Sequence, residues 1–275
     1  MAGDDAVALI AIVAALAAAG AVTGVLAGLF GVGGGLVATP VLFEALGAMG
    51  VDESVRMHMC VGTSLAIVIP TAIRSFRTHW RAGAVDRAVL ALWLWPVLLG
   101  VGAGALVAAG SDSSALIGVF VVACALAAVR FGVGADAWRL GAEFPGQWAM
   151  RAIGAGIGFA STLMGIGGGL FGNLVYALFG QPIHRGVATS SGLGVIIAIP
   201  AAAAYVIVGL ARGADLPPWS FGYVSLIGVV CMAPLSMAIA PFGARLAHRL
   251  SKRTLERLFA VYLVIVAARF ATELF

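Results

Sequence analysis

The stretch Phe30-Gly31-Val32-Gly33-Gly34-Gly35-Leu36 is written a second time as Met164-Gly165-Ile166-Gly167-Gly168-Gly169-Leu170, and each copy interrupts an apolar segment. Glycine loses the most backbone freedom on ordering, so four glycines in five residues break a helix. In a bilayer a break bares N–H and C=O groups that lipid cannot satisfy, and irregular backbone survives there only against protein or a wet cavity. The bilayer is the right solvent. Of 275 residues 62% are hydrophobic and 10% charged, against about 25% charged in a soluble domain. The doubled run therefore predicts two membrane halves, each with a helix break on a substrate path.

Hydropathy places a helix over residues 6–30, ended by the first glycine run, and a short limb over 36–47. At about 1.5 Å per residue the limb reaches about 18 Å, little more than half of a hydrocarbon core of about 30 Å. The second half repeats this with 148–164 and 170–180. Three fuller spans follow each pair: 57–73, 88–109 and 115–133, then 186–209, 220–240 and 255–274. The fold class read from this is an all-α polytopic membrane protein. Residues 1–134 and 135–275 form two halves of one membrane domain, each a glycine-tipped broken-helix hairpin plus three transmembrane helices. The segment 6–29 resembles a signal peptide in hydropathy, but Asp4 and Asp5 stand where a basic leader is needed, so it reads as retained.

The repeat extends beyond the glycines. Thr39 aligns with Asn173, and His58, Val61, Thr63 and Ser64 align with His184, Val187, Thr189 and Ser190. A hairpin adds no net crossing and three spans reverse the side, so the second half starts on the opposite face and the repeat is inverted. Lys and Arg in short loops set orientation. With the N-terminus outside, thirteen of the 16 basic residues fall inside, leaving Arg56, Arg212 and Arg269 outside. The loop 74–87 is basic while its counterpart carries only Arg212 and Asp215, and the next pair of loops reverses this.

The pattern from Gly28 through Gly31, Gly33, Gly34, Gly35 and Leu36 to Thr39-Pro40, the segment His58 to Ser64, Arg81-Ala82-Gly83-Ala84-Val85-Asp86, the second glycine copy and Gly243-Ala244-Arg245 resemble the TauE/SafE sulfite exporter family. The resemblance implies a permease of the bacterial inner membrane, linked in several members to export of sulfite or organosulfonates such as sulfoacetate. The second copy departs from it: Asn173-Leu174 replaces Thr39-Pro40.

Helices that start at Leu36 and Leu170 would present unpaired N–H groups and positive dipole ends, which suit an anion held at mid-membrane. The predicted substrate site is therefore Gly33, Gly34, Gly35, Leu36, Thr63, Ser64, Gly167, Gly168, Gly169, Leu170, Asn173, Thr189 and Ser190. Close helix packing competes as an account of the glycines, and back-bonding to a carbonyl one turn earlier competes for the hydroxyls. Glu44, His58 and His184 are candidate proton carriers, although interfacial contacts or helix-start caps are the favoured account of them. Trp80, Trp93, Trp95, Trp138, Trp148 and Trp219 fall near span ends, as an aromatic belt does.

Other classes fit less well. Basic residues confined to short loops point to membrane orientation rather than nucleic acid. Cys60, Cys124 and Cys231 lack metal-ligand spacing, so no metal or other cofactor is expected. Thr189-Ser190-Ser191-Gly192 lacks the glycine two residues before the serine that a serine protease uses, so no enzyme is expected. A passive anion or small-solute channel of hourglass type is the alternative to a transporter. The expected partners are a small anionic substrate and the lipid bilayer, with a homo-oligomer left open.

Overall fold

The computed structural model describes residues 2–30, 34–133, 140–213, 216–247 and 250–274. In order these form α1 (Ala2–Phe30), α2 (Gly35–Ala48), α3 (Glu53–Arg81), α4 (Arg87–Gly110), α5 (Ser113–Val133), α6 (Gln147–Met164), α7 (Gly169–Leu178), α8 (Ile183–Arg212), β1 (Ser220–Phe221), β2 (Val224–Ser225), α9 (Leu226–Ala247) and α10 (Lys252–Ala271). Among the described residues, six helical segments are long and apolar enough to cross a membrane: Ile10–Gly28, Glu53–Arg81, Arg87–Gly110, Ser113–Gly132, His184–Arg212 and Leu226–Gly243. The protein is an all-α, multi-pass membrane protein. Its exposed side chains include Leu99 and Leu106 on α4 and Val122, Leu126 and Val129 on α5, as a lipid-facing surface requires.

The helices pair across the two halves. The α1 helix lies along α9 and α6 along α4; α3 meets α8 at the centre, and α5 packs on α10. Small residues permit the first two crossings. A Cβ at Gly20 would stand 2.7 Å from Met232 Cα, and one at Gly24 would stand 2.7 Å from the Ser236 carbonyl oxygen. Likewise Gly100 and Gly104 of α4 face the backbone of Ala155 and Phe159, and Gly158 of α6 faces that of Val97. Trp93 reinforces this pair: it is fully buried and its indole N–H donates to the Met150 carbonyl at 2.8 Å. It therefore belongs to a helix interface and not to an aromatic belt, whereas Trp80, Trp95, Trp148 and Trp219 are exposed. Trp138 lies outside the described residues.

Among the boundaries that differ from the hydropathy reading, two bear on the site. The α3 helix runs on to Arg81, so Arg74, Arg77 and Arg81 ride on its last turns and only a short turn precedes Arg87. Asp86 makes that turn, accepting from the Val89 N–H to cap α4. Residues 220–225, read as the start of a helix, instead form an antiparallel hairpin in which Ser220 pairs with Ser225 and Phe221 with Val224. Its turn holds Gly222 at φ 55°, and Trp219 just before it has φ 67°, so the chain cannot enter a helix before Leu226. The hairpin drives Tyr223 into the bundle, fully buried, with its ring centroid 5.0 Å from that of His58.

Candidate functional site

Both glycine runs break the helix as their composition demands. Gly34 (φ 81°) and Gly168 (φ 71°) stand in the left-handed region at the N-caps of α2 and α7, and no side chain caps either helix. A β-branched residue does not adopt that conformation readily. The first-turn N–H groups of both helices thus lack partners within their own helix. The limbs are short, 14 residues for α2 and 10 for α7, which at about 1.5 Å per residue is about 21 and 15 Å.

The two tips touch. A Cβ on Gly35 would collide with the Gly165 carbonyl oxygen and come within 3.0 Å of Ile166 Cα. Ser64 of α3 joins them: its hydroxyl lies 3.1 Å from the Gly35 carbonyl oxygen and 2.9 Å from that of Gly165 and shares its proton between them. Thr39 adds a second tie, donating to the Gly35 carbonyl at 3.0 Å with the Met164 carbonyl 3.4 Å away. Leu36 and Leu170 are buried in the core beside the tips. Gly33 lies outside the described residues.

Beside the second tip opens a cavity of about 390 Å³. Its walls come from Ala27 and Gly28 of α1; Val68, Thr71, Ala72, Ser75, Thr78 and His79 of α3; Gly167 and Gly169 of the tip; Val187, Ser190, Ser191 and Gly194 of α8; and Met237, Ala240 and Pro241 of α9. The remaining wall residue, Arg74, is exposed at the mouth. On the α8 wall the Ser190 hydroxyl is buried beside Gly172 of α7 and has no hydrogen-bond partner. Among the described residues the walls carry no carboxylate, and the fixed charge they bring to the cavity is positive, from Arg74.

The structure separates the predicted site residues. Gly167, Gly169 and Ser190 line the cavity, Gly34 and Gly168 shape the tips, and Gly35 and Ser64 seal them. Thr63 and Thr189 do neither. The Thr63 hydroxyl oxygen accepts from the Ser225 N–H at 2.9 Å, and that of Thr189 accepts from the Asp86 N–H at 3.0 Å and from the Tyr176 hydroxyl at 3.3 Å. Each holds the residue that leads into the fourth helix of the other half. Asn173 is absent from the cavity lining, and its side-chain carbonyl oxygen is buried without a partner.

None of the proton-carrier candidates reaches the cavity. Glu44 pairs with Arg269 at 2.9 Å, with both side chains about half exposed. His58 is fully buried with Nε2 3.1 Å from the Ala108 carbonyl oxygen, and His184 is exposed. Sequence reading missed the α3 contribution. Val68, Thr71, Ala72, Ser75, Thr78 and His79 recur at helical spacing and would have marked one face had the helix been carried past residue 73.

The model for the sulfite exporter TauE/SafE family matches residues 16–270. A "Probable membrane transporter protein" of Haemophilus influenzae is 28% identical over 248 residues, covering 90% of this chain and 94% of its own. A "Probable membrane transporter protein" of Methanocaldococcus jannaschii is 26% identical over 241 residues, covering 86% and 87%. No solved structure matches the chain.

Proposed function

Because the chain belongs to the sulfite exporter TauE/SafE family of membrane transporters, we propose that it carries small anions, sulfite or organosulfonates such as sulfoacetate, across the bacterial inner membrane by alternating access around the two glycine tips. One observation carries this reading. The cavity runs from a mouth bearing Arg74 and His79 to a glycine tip, and on its wall the Ser190 hydroxyl is buried and unpaired. A cavity without carboxylates and with a cation at its mouth concentrates anions. Neutral donors along it, the Ser190 hydroxyl on the wall and the uncapped first turn of α7, hold an anion without a buried cation. Charge-assisted bonds to an arginine are roughly twice as strong as neutral ones, and a transporter must release what it binds.

The inverted repeat is part of this proposal. The helix pairing supports it: exchanging the first five helices with the last five turns α1 on α9 into α6 on α4 and leaves α3 on α8 and α5 on α10 unchanged. The charges support it too, since the end of α3 (Arg74, Arg77, Arg81) and the start of α10 (Arg253, Arg257) are basic although they occupy different places in the two halves. In this arrangement the N-terminus is outside and the cavity faces the cytoplasm. Against the passive hourglass channel stands the seal beyond the cavity, where Gly35 lies on Gly165 and Ser64 ties them.

Counterflow in proteoliposomes with labelled sulfite, sulfoacetate or taurine tests the function. A transporter saturates and exchanges; linear, unsaturable flux of all three would establish the channel. Single-cysteine labelling at Arg81 and Arg253 from the two sides tests topology, and labelling from opposite faces would refute the inverted repeat.

A further inference from the structure

We propose that Ser64 and Ser190 exchange roles during transport: in each access state one serine clasps the two glycine tips together while the other stands free to hold the substrate. This rests on the alternating-access reading above.

The two serines occupy the same place in the repeated pattern, directly after Thr63 and Thr189. The threonines behave alike, each accepting a backbone N–H ahead of the fourth helix of the other half. The serines do not. The proton of Ser64 is committed to the Gly35 and Gly165 carbonyls, and Ser64 lines no part of the cavity. Ser190 is 2% exposed, faces the cavity and has no partner. The same split recurs one element away. Thr39 reaches the Gly35 and Met164 carbonyls, whereas the side-chain oxygen of its counterpart Asn173 is buried and unpaired.

A buried polar group without a partner is costly and calls for an explanation. Here two such groups stand in one half, at the positions where the other half forms its clasp. Two halves built on one pattern trade environments when access switches sides. In the opposite state Ser190 reaches the Gly169 carbonyl and the facing tip, Asn173 takes the part of Thr39 by donating from its side-chain Nδ2 and its oxygen gains a partner, and Ser64 is released toward a cavity on the other face. Switching hands the anion from Ser190 to Ser64. Each state is then closed by bonds that the other lacks, so the two lie close in energy and a modest difference in substrate affinity moves the balance.

The test uses the full chain in lipid with Cys60, Cys124 and Cys231 replaced by alanine. One reporter is Thr71→Cys on the cavity wall. The other is Ala108→Cys, buried beside His58 in a void too narrow for water. The ratio of their maleimide labelling rates reads the balance of states. Ser64→Ala should lower the ratio of Thr71→Cys to Ala108→Cys labelling about fivefold, the effect of one net hydrogen bond on a two-state population. Thr39→Val should act in the same direction and carries the test if Ser64→Ala does not fold. Ser190→Ala should leave the ratio unchanged or raise it. Any other pattern in folded variants overturns the exchange, above all a fall with both alanines. Sulfite, sulfoacetate and taurine added as protectants of Thr71→Cys probe the anion reading separately: protection by none of them counts against that reading while the labelling ratio still decides the exchange.

Discussion

The first glycine tip and the second are built from the same residue pattern, yet one is closed and the other is open. At the first, Ser64 and Thr39 reach the carbonyls of Gly35, Gly165 and Met164. At the second, Ser190 and Asn173 hold buried oxygens without partners, and a cavity begins. Repetition in sequence therefore assigns position, and hydrogen bonding assigns the state in which each position is caught. The open tip is the place to look for substrate, and the closed tip is the place to look for what prevents leakage.

The sharpest way to break this contrast is to force the tips apart. Gly35→Ala places a methyl group on the Gly165 carbonyl oxygen, which is backbone and cannot step aside. Transport should be lost while the protein still inserts. Gly102→Ala, on a helix with open space around it, should be neutral in the same flux assay. Gly168→Val combines a left-handed φ of 71° with a Cβ 2.5 Å from Ile197 Cδ1, and should abolish anion binding in a thermal-shift titration. Normal binding by folded Gly168→Val would make the second run a packing motif.

Next in size come the two threonines, where the halves are predicted to agree. Thr63→Val and Thr189→Val each leave a backbone N–H without its acceptor, costing about 1–3 kcal/mol. Thr189→Val should cost more, since the Tyr176 hydroxyl loses a partner as well. Thermal unfolding checks both; a fall in anion affinity at unchanged stability would return them to the binding site.

Smaller still is Glu44→Gln. The Glu44–Arg269 pair is about half exposed, and exposed pairs contribute roughly 0–1 kcal/mol. The pH dependence of flux should not change, and its disappearance would make Glu44 the proton carrier.

The smallest effect concerns the helix starts. Asp52 caps α3, and hydrogen bonds from the Ser54 hydroxyl and N–H hold its carboxyl below the usual carboxylate range, whereas Pro182 gives α8 no side-chain cap. A depressed folded value means the contribution is present above the unfolded value and is lost as pH falls through the folded one. Amide exchange should quicken in acid at the first turn of α3 and not of α8.

Much of the fold was legible because hydropathy and glycine act locally. Spans read at 88–109 and 115–133 are the helices Arg87–Gly110 and Ser113–Val133, and the limbs read from Leu36 and Leu170 begin one residue earlier, at Gly35 and Gly169. The reading failed where charge and helix coincide. Arg74, Arg77 and Arg81 look like a loop by hydropathy, but α3 continues beneath them and its last turns form a cavity wall. It failed again at 220–225, where only the backbone angles of Trp219 and Gly222 reveal the hairpin. At the site, sequence could mark Ser64 and Ser190 as a pair but could not say which was committed, because that depends on contacts more than 100 residues apart in the chain.

The pairing of α1 with α9 also sets a timetable. The α1 helix ends at Phe30 and its partner begins at Leu226, so the ribosome adds roughly 200 residues in between, which at 5–20 residues per second takes about 10–40 s. Throughout that interval the face carrying Gly20 and Gly24, shaped to accept the backbone of Met232 and Ser236, has no partner to meet. A helix made early is thus seated late, and biosynthesis must tolerate an apolar span, Ile10–Gly28, whose glycine face waits for its partner helix.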